Sequence, residues 1–256
     1  MFGITIRHNL LKSGILQGKT DIHCHVLPGV DDGSPDLSHS LEILSFMEME
    51  MGFRSVCLTP HVMQDYPNNA AMLRKHFEAF LPHYKGSLQL HLAAEYMLDA
   101  SFAGHLHDGV LPLAQQHLLV ETSYMSAPVG LQDILLDIWH QGYRPVLAHP
   151  ERYMYMEESD YAALKAKGYA FQLNLLSLSG YYGRRPKQIS EHLLKQGYYD
   201  FVGTDLHHLE RYEDYLYNMK LNRRQLDTLE QLFENNSMFN DQCSMINVQC
   251  SMINVQ

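Results

Sequence analysis

The chain has 256 residues, of which 46% are hydrophobic and 19% are charged, and this is enough for one domain with a sizeable core. Its 19 basic and 29 acidic residues give a formal net charge of −10, which argues against a nucleic-acid partner, because such partners favour a basic surface. Its apolar runs are shorter than the ~18 residues that a membrane-spanning helix needs, so we expect no membrane insertion.

The chain divides into three predicted parts. Residues 1–19 form a lead-in that lacks the uninterrupted apolar stretch of a signal peptide. Residues 20–236 carry the regular patterns and form the predicted domain. Residues 237–256 are predicted to be a disordered tail, in which CSMINVQ occurs twice in succession. Cys24 and Cys57 fall in predicted strands and the other cysteines in the tail, a pattern that favours a cytoplasmic location over a disulfide framework.

A repeating unit runs through the predicted domain. A helical pattern ends in glycine and an aromatic residue, a nearly continuous apolar strand follows, and a residue of metal-ligand type ends the strand. After the strand that ends at His25, the predicted strands are Ser55–His61, Leu88–Glu95, His117–Glu121, Pro145–His149, Ala170–Asn174 and Asp200–His207. The predicted helices are Leu37–Met51, Asn69–Tyr84, Val129–His140, Lys187–Gln196 and Leu209–Asn235. This alternation predicts a (β/α) barrel or a doubly wound sheet.

The most informative stretch is Thr20–Gly33, which reads TDIHCHVLPGVDDG. His23 and His25 follow a short apolar run, and residues two apart on a strand point to the same face. Both imidazoles should therefore emerge together at a strand end, as two ligands of one metal ion do. The loop that follows delivers Asp31 and Asp32. Imidazole combined with carboxylate favours zinc, manganese or iron over calcium.

Six of the seven predicted strands end in a histidine or a carboxylate, and such ends meet at one edge of a parallel α/β fold. The nine candidate ligands are His23, His25, Asp32, His61, Glu95, Glu121, His149, Asp205 and His207. One ion uses about four to six ligands, so nine ligands fit a cluster of two or three ions. The charge of such a cluster favours an anionic substrate such as a phosphate ester. Arg152, close after His149, offers a fork for phosphate oxygens.

These motifs resemble, in order, those of the polymerase-and-histidinol-phosphatase (PHP) superfamily, and within it the CpsB/YwqE-like bacterial tyrosine-protein phosphatases. The resemblance extends over roughly residues 20–232. The segments that carry it are Asp21–Gly33, Thr59-Pro60-His61, Ala94-Glu95, Val120-Glu121, His149-Pro150-Glu151-Arg152 and Asp205-Leu206-His207. The first of them, with its LPG-x-DDG continuation, is specific to the phosphatase branch.

The resemblance implies a distorted (β/α)7 TIM-like barrel that holds up to three divalent ions. Manganese is the usual ion, and iron, zinc, cobalt or magnesium would also be compatible. The implied ligand sets are His23, His25, Glu95 and Asp205 for one ion, Glu95, Glu121 and His149 for a second, and Asp32, His61 and His207 for a third. Arg152 would bind the phosphate, and His207 is also a candidate proton donor.

The predicted function is hydrolysis of phosphotyrosine by a metal-bridging hydroxide. The expected partner is a phosphotyrosine-containing protein, the tail of a bacterial tyrosine kinase of exopolysaccharide or capsule assembly. Two alternatives stay open: a small-molecule phosphoesterase of the histidinol-phosphatase type, and a weakly active metal-binding regulatory protein. A cysteine-based mechanism is excluded, because neither Cys24 nor Cys57 begins a C-x5-R motif. Arg184 and Arg185 would suit either a rim that grips a phosphopeptide or a solvated loop.

Overall fold

The structure, a computed structural model, describes residues 6–114 and 116–239. Its strands are β1 (Arg7–Asn9), β2 (Thr20–Cys24), β3 (Ser55–Leu58), β4 (His61–Val62), β5 (Gln89–Leu92), β6 (Glu95–Met97), β7 (His117–Glu121), β8 (Arg144–Ala148), β9 (Ala170–Asn174), β10 (Phe201–Gly203) and β11 (Lys220–Asn222). Its α-helices are α1 (Leu10–Ser13), α2 (Leu37–Met49), α3 (Ala70–Phe80), α4 (Phe102–Asp108), α5 (Leu131–His140), α6 (Glu158–Ala166), α7 (Arg184–Gln196), α8 (Glu210–Asn218) and α9 (Arg223–Asn236). Short 3₁₀ turns cover Leu81–His83, Pro150–Arg152, Leu175–Ser179 and Ser237–Phe239.

The strands between β2 and β10 alternate with helices and form parallel sheets. A six-stranded sheet has the order β10-β9-β8-β7-β6-β4, and a three-stranded sheet has the order β2-β3-β5. The pair β1–β11 is antiparallel and joins the first described segment to the end of the domain. The predicted α/β class with parallel strands is therefore confirmed.

The closed barrel implied by the resemblance is not formed by the hydrogen-bonded strands, because the described strands make two separate parallel sheets. Two predicted strands are each formed as two shorter strands: 55–61 as β3 and β4, and 88–95 as β5 and β6. Pro60 lies between β3 and β4 and has no backbone N–H with which to continue a ladder. As a result β3 pairs within the small sheet, whereas β4 pairs with β6 in the large one. At the other edge the sheets are connected by an isolated β-bridge from Cys24 to Leu206 and by hydrogen bonds of the neighbouring residues.

Side-chain caps mark the beginning of several helices, among them α2 and α9. Asp36 caps α2 by accepting a hydrogen bond from the His39 backbone N–H at 2.9 Å. The predicted single helix over 209–235 is wrong, because the chain forms α8 and α9 with β11 between them. Asn222 begins α9 with a capping box, in which its side chain and that of Gln225 each accept the other's backbone N–H. The sequence analysis also missed the short helices α1, α4 and α6.

The ends of the described chain are packed against the domain. The segment predicted as a lead-in contributes β1 and α1, and Leu10 is fully buried. The first three residues assigned to the tail form a 3₁₀ turn, in which the Phe239 ring lies 5.0 Å from that of Phe201. Both copies of CSMINVQ, at 243–256, lie outside the described residues.

The hydrophobic core lies on both faces of the parallel sheets. Every residue of β2 and β3 is buried, as a parallel strand covered on both sides requires. Each fully buried leucine or phenylalanine in such a core contributes about 1.5–3 kcal/mol. The strands that carry the candidate ligands at their ends are therefore held by a well-packed hydrophobic core. Among the described helices, none combines the length and the apolar character required to cross a membrane.

Candidate metal centre

The nine predicted ligands come from different strands and lie around one pocket. They are contributed by β2 and the loop after it, by β4, β6 and β7, and by the segments that follow β8 and β10. Seven of the nine residues are buried, while the side chains of His207 and Asp32 are 23% and 50% exposed. The structure thus brings together every residue that the sequence singled out as a ligand.

One group of four buried ligands is formed by His23, Glu95, His149 and Asp205. The Nε2 atom of His23 lies 3.3 Å from a carboxylate oxygen of Glu95 and 3.3 Å from one of Asp205. The Nε2 atom of His149 lies 3.0 Å from the other Glu95 oxygen. His25 is close to this group as well, because its Nε2 atom is 3.4 Å from both Glu95 and Asp205.

A second group lies nearer to solvent and consists of His25, Asp32, His61 and His207. The rings of His25 and His207 are stacked, with centroids 3.9 Å apart. Asp32 Oδ1 lies 3.4 Å from His61 Nε2 and 3.6 Å from His207 Nε2. The half-exposed carboxylate of Asp32 therefore lies beside the partly exposed His207 and the buried His25 and His61.

His61 connects both groups to Glu121. Its Nδ1 atom lies 3.1 Å from Glu95 Oε2 and 3.1 Å from Glu121 Oε1. These three atoms are buried, and none has a hydrogen-bond partner among the described residues. An unsatisfied buried polar atom costs about 1–3 kcal/mol, and more when the group is charged. A divalent cation among these atoms would remove that cost, so the donor set fits a metal ion.

The close spacing of buried imidazoles and carboxylates shifts their pKa values. Burial opposes protonation of His23, but the charges of Glu95 and Asp205 outweigh burial and raise its pKa. Burial likewise favours the neutral form of Glu95, but the charge of His23 and a hydrogen bond from His149 hold its pKa well below the usual range. In this arrangement protonated histidines offset the carboxylate charge. Metal binding would displace those protons.

Two residues that the sequence analysis did not single out orient the histidines. His23 Nδ1 donates to the side-chain oxygen of Gln172 at 2.8 Å, and His25 Nδ1 donates to Asp31 at 2.8 Å. Each bond leaves the Nε2 atom facing the pocket, as outer partners of metal-binding histidines do. Asp31 was noted beside Asp32 in the sequence, but without a role. Gln172 had only its position on β9 as a signal.

The backbone at the site is unusual in two ways. His149 and Asp205 have φ values of 36° and 52°, in the left-handed region that non-glycine residues seldom adopt. Gly203 allows β10 to approach β2, because a Cβ atom there would lie 2.6 Å from the Cβ of His23. The strained backbone at His149 and Asp205 and the close approach of β10 to β2 thus direct the ligand side chains into the pocket.

Arg152, which the sequence analysis predicts to bind phosphate, lines the cavity above the ligands. Its guanidinium donates to Asp205 Oδ2 at 2.7 Å and stacks between the rings of Tyr124 and Tyr182, 4.3 Å from each centroid. Asn174 also donates to that oxygen, at 2.6 Å. The sequence analysis missed Tyr124, Tyr182 and Asn174, since none of them is a charged residue.

The cavity above the ligands has a volume of about 340 Å³. Arg152, His207 and His208 are among its lining residues. His207 Nδ1 donates to the backbone carbonyl of Asp205 at 2.9 Å, which leaves Nε2 toward Asp32. Burial and the charge of His25 lower the pKa of His207 to about 4. The cavity therefore combines an arginine, a neutral imidazole and two carboxylates, Asp32 and Asp205, a set suited to a metal-bound oxyanion.

A profile of the family described as capsular polysaccharide synthesis, CpsB/CapC, matches residues 19–238. The chain belongs to this family. Tyrosine-protein phosphatase YwqE from Bacillus subtilis (strain 168) is 29% identical to it in a 198-residue alignment that covers 74% of this chain and 78% of YwqE. This match agrees with the resemblance stated from the motifs.

A crystal structure described with YwqE from Bacillus subtilis and CpsB from Streptococcus pneumoniae, "unique metal-dependent tyrosine phosphatases", has the same fold. The TM-score is 0.69 with 27% identity, and the alignment covers 87% of this chain and 91% of the other. The CpsB/CapC match therefore includes the tertiary structure over most of both chains.

Proposed function

We propose that this CpsB/CapC chain is a metal-dependent phosphatase that hydrolyses phosphotyrosine in proteins. The observation that carries the proposal is the convergence of nine imidazole and carboxylate ligands around buried oxygens without donors, with Arg152 at the edge of the same cavity. The similarity to YwqE, which is named a tyrosine-protein phosphatase, supports the same reaction.

The proposed ligand sets are those implied by the resemblance. His23, His25, Glu95 and Asp205 would hold one ion, Glu95, Glu121 and His149 a second, and Asp32, His61 and His207 a third. Manganese is the proposed ion, and iron, zinc, cobalt or magnesium would suit the same oxygens and nitrogens. When bound, such ions lower the pKa of water toward neutrality and neutralise charge on phosphoryl oxygens.

Arg152 is proposed to bind the phosphoryl group. A guanidinium presents two parallel N–H donors to an oxyanion, and the rings of Tyr124 and Tyr182 hold its plane against the cavity. Asp205 accepts from Nη1, so the arginine is already turned toward the ligands before substrate binds. Phenolate leaves with a pKa near 10, which makes strong general-acid help less necessary than for an alkyl phosphate. The sequence analysis also named His207 as a candidate proton donor, but its Nδ1 proton is donated to the Asp205 carbonyl and its Nε2 atom faces Asp32. We therefore propose His207 as a metal ligand and not as the proton donor.

The proposed substrate is the tyrosine-rich tail of a bacterial tyrosine kinase that acts in capsule or exopolysaccharide assembly. The description of the family as capsular polysaccharide synthesis supports this context. A cytoplasmic location is proposed with it, since the described cysteines Cys24 and Cys57 are free and buried.

The test compares three forms of the protein: as purified, after chelation, and after refilling with manganese. Metal content is measured together with kcat/KM on a phosphotyrosyl peptide and on histidinol phosphate. We expect activity on the peptide that disappears with the metal and returns with manganese. A preference for histidinol phosphate would favour the small-molecule alternative instead. Failure of the metal-loaded protein to hydrolyse either substrate would favour the regulatory alternative.

A further inference from the structure

A second cavity of about 400 Å³ adjoins the cavity of the metal centre. We call it the side groove, and its lining residues include Tyr124, Arg152, Met154, Tyr182, Arg184 and Arg185. Three of these, Tyr124, Arg152 and Tyr182, also line the cavity above the ligands. The groove therefore begins at the residue proposed to bind phosphate and leads away from it.

Hydrogen bonds between loops hold the side groove in shape. The Met154 backbone N–H donates to the Tyr124 carbonyl at 2.7 Å, which joins the loops after β7 and β8. Arg185 Nη2 donates to the Met154 carbonyl at 3.0 Å, which joins the second loop to the start of α7. The groove is thus formed before any ligand binds, and the Arg185 guanidinium is engaged by the backbone.

The surface of the side groove combines exposed apolar side chains with an available cation. Met154, which lines the groove, is 53% exposed, and methionine is a common residue on adaptable binding surfaces. Arg184 is exposed and makes no ion pair or side-chain hydrogen bond within residues 6–114 and 116–239. The first turn of α7 contains no acidic residue to offset it. The groove is also lined by the carboxylate of Glu151, which is buried and accepts hydrogen bonds from Ser177 and Tyr199. Three arginines against this one carboxylate make the groove locally positive on a chain of net charge −10.

We propose that the side groove binds the substrate segment next to the phosphotyrosine, with an acidic side chain of that segment paired to Arg184. This inference rests on the proposed function and adds a substrate preference to it. The apolar walls would contact the aliphatic part of the segment, and Arg184 would select its charge. The partner that fits is an acidic phosphotyrosyl peptide.

The experiment uses two phosphotyrosyl peptides that differ only in one flanking residue, glutamate or lysine, with a small aryl phosphate as a third substrate. Arg184→Glu reverses the charge of the side groove. The matched control is Arg224→Glu, because Arg224 is also exposed and lies against Lys195, about 16 Å along α7 from Arg184. Arg184→Lys keeps the positive charge and serves as the conservative variant.

We expect the parent protein to prefer the glutamate peptide. Arg184→Glu should lower the ratio of kcat/KM for the glutamate peptide to that for the lysine peptide by about tenfold, since one ion pair is lost and another gained. Arg184→Lys should keep most of the parent's preference, and Arg224→Glu should change the ratio less than about twofold.

Equal ratios for Arg184→Glu and Arg224→Glu, in proteins that still hydrolyse the aryl phosphate, would overturn the side-groove inference alone. Absence of turnover with both peptides and with the aryl phosphate would overturn the proposed function and this inference with it. Circular dichroism of each variant checks the fold, and a glutamate at the N-terminal end of α7 is compatible with the helix dipole.

Discussion

At the scale of single residues, the two carboxylate oxygens of Asp205 have different partners. Oδ2 accepts from Arg152, Asn174 and Tyr182 at 2.7, 2.6 and 3.1 Å. Oδ1 instead faces His23 and His25, at 3.3 and 3.4 Å. One oxygen is thus fixed by donors while the other is directed at the ligands. Such outer partners are what hold a metal ligand in position.

Glu95 is the residue whose loss should cost the most, because its two oxygens face both His149 and the pair His23 and His61. We expect Glu95→Ala to reduce kcat on a phosphotyrosyl peptide by at least about a thousandfold, because bound ions supply most of the charge stabilisation. Metal content per chain should fall in parallel. Glu48→Ala, a change outside the pocket, is the control. Retention of most activity by Glu95→Ala would contradict the three-ion scheme.

Tyr182 should matter through its ring. Tyr182→Ala removes a face of the stack around Arg152 and should raise KM about five- to tenfold, because a cation–π contact is worth about 0.5–2 kcal/mol. Tyr182→Phe keeps the ring and loses only the hydroxyl that donates to Asp205, so its KM should stay closer to that of the parent. Steady-state kinetics on the same peptide measure both. A Tyr182→Phe defect as large as that of Tyr182→Ala would place the role in the hydroxyl.

At the scale of secondary-structure elements, the site depends on how closely β10 approaches β2. Asp205 N donates to the His23 carbonyl at 2.8 Å, and His25 N donates to the Leu206 carbonyl at 2.9 Å. Thr204 donates to Asp21 through both its backbone and its hydroxyl. These bonds join the two parallel sheets at one edge and set the position of the ligands on each.

A substitution at Gly203 tests whether the close approach of β10 to β2 is needed. Gly203→Ala places a Cβ atom 2.6 Å from the Cβ of His23, so we expect a loss of about 1–3 kcal/mol in unfolding free energy and weaker metal binding. Gly104→Ala is the matched control, because a Cβ there has no neighbour within 4 Å and Gly104 lies in a helix. That variant should be neutral or more stable by up to about 1 kcal/mol. Denaturant unfolding and metal titration measure both. Equal stability of the two variants would show that the close approach is not needed.

At the scale of the whole molecule, the parallel sheets act as a frame that gathers charges from distant parts of the chain. His23 and Asp205 are 182 positions apart in the sequence, yet their side chains are 3.3 Å apart. Burying several carboxylates in one pocket opposes folding unless cations or protons offset them. The stability of the molecule should therefore depend on its metal ions.

Removal of the metal should lower the melting temperature. A ligand present at 100 times its Kd adds about 2.7 kcal/mol, which corresponds to about 5–10 °C for a domain of this size. We expect scanning calorimetry to show this decrease after chelation and its reversal with manganese. Glu95→Ala should show a smaller difference between the two states. An unchanged melting temperature after chelation would contradict a metal-stabilised fold.

The α/β class, the family and the nine ligand candidates could all be predicted from the order of residues along the chain. The reason is that strand and helix periodicity are local properties of the sequence. Histidines and carboxylates at predicted strand ends can likewise be recognised without knowing any tertiary contact. The prediction of one helix over 209–235 was wrong, because the extended segment at Met219 and β11 interrupts the helix.

The neutral residues that support the ligands, and the way the sheets are joined, became visible only in the folded chain. Gln172, Asn174 and Tyr182 have no local pattern that distinguishes them from other polar residues, and their roles come from contacts across the sheets. The division at Pro60 likewise depends on which strand each half can pair with. Hydrogen bonding between distant segments is a property of their relative positions, which periodicity along the chain does not specify.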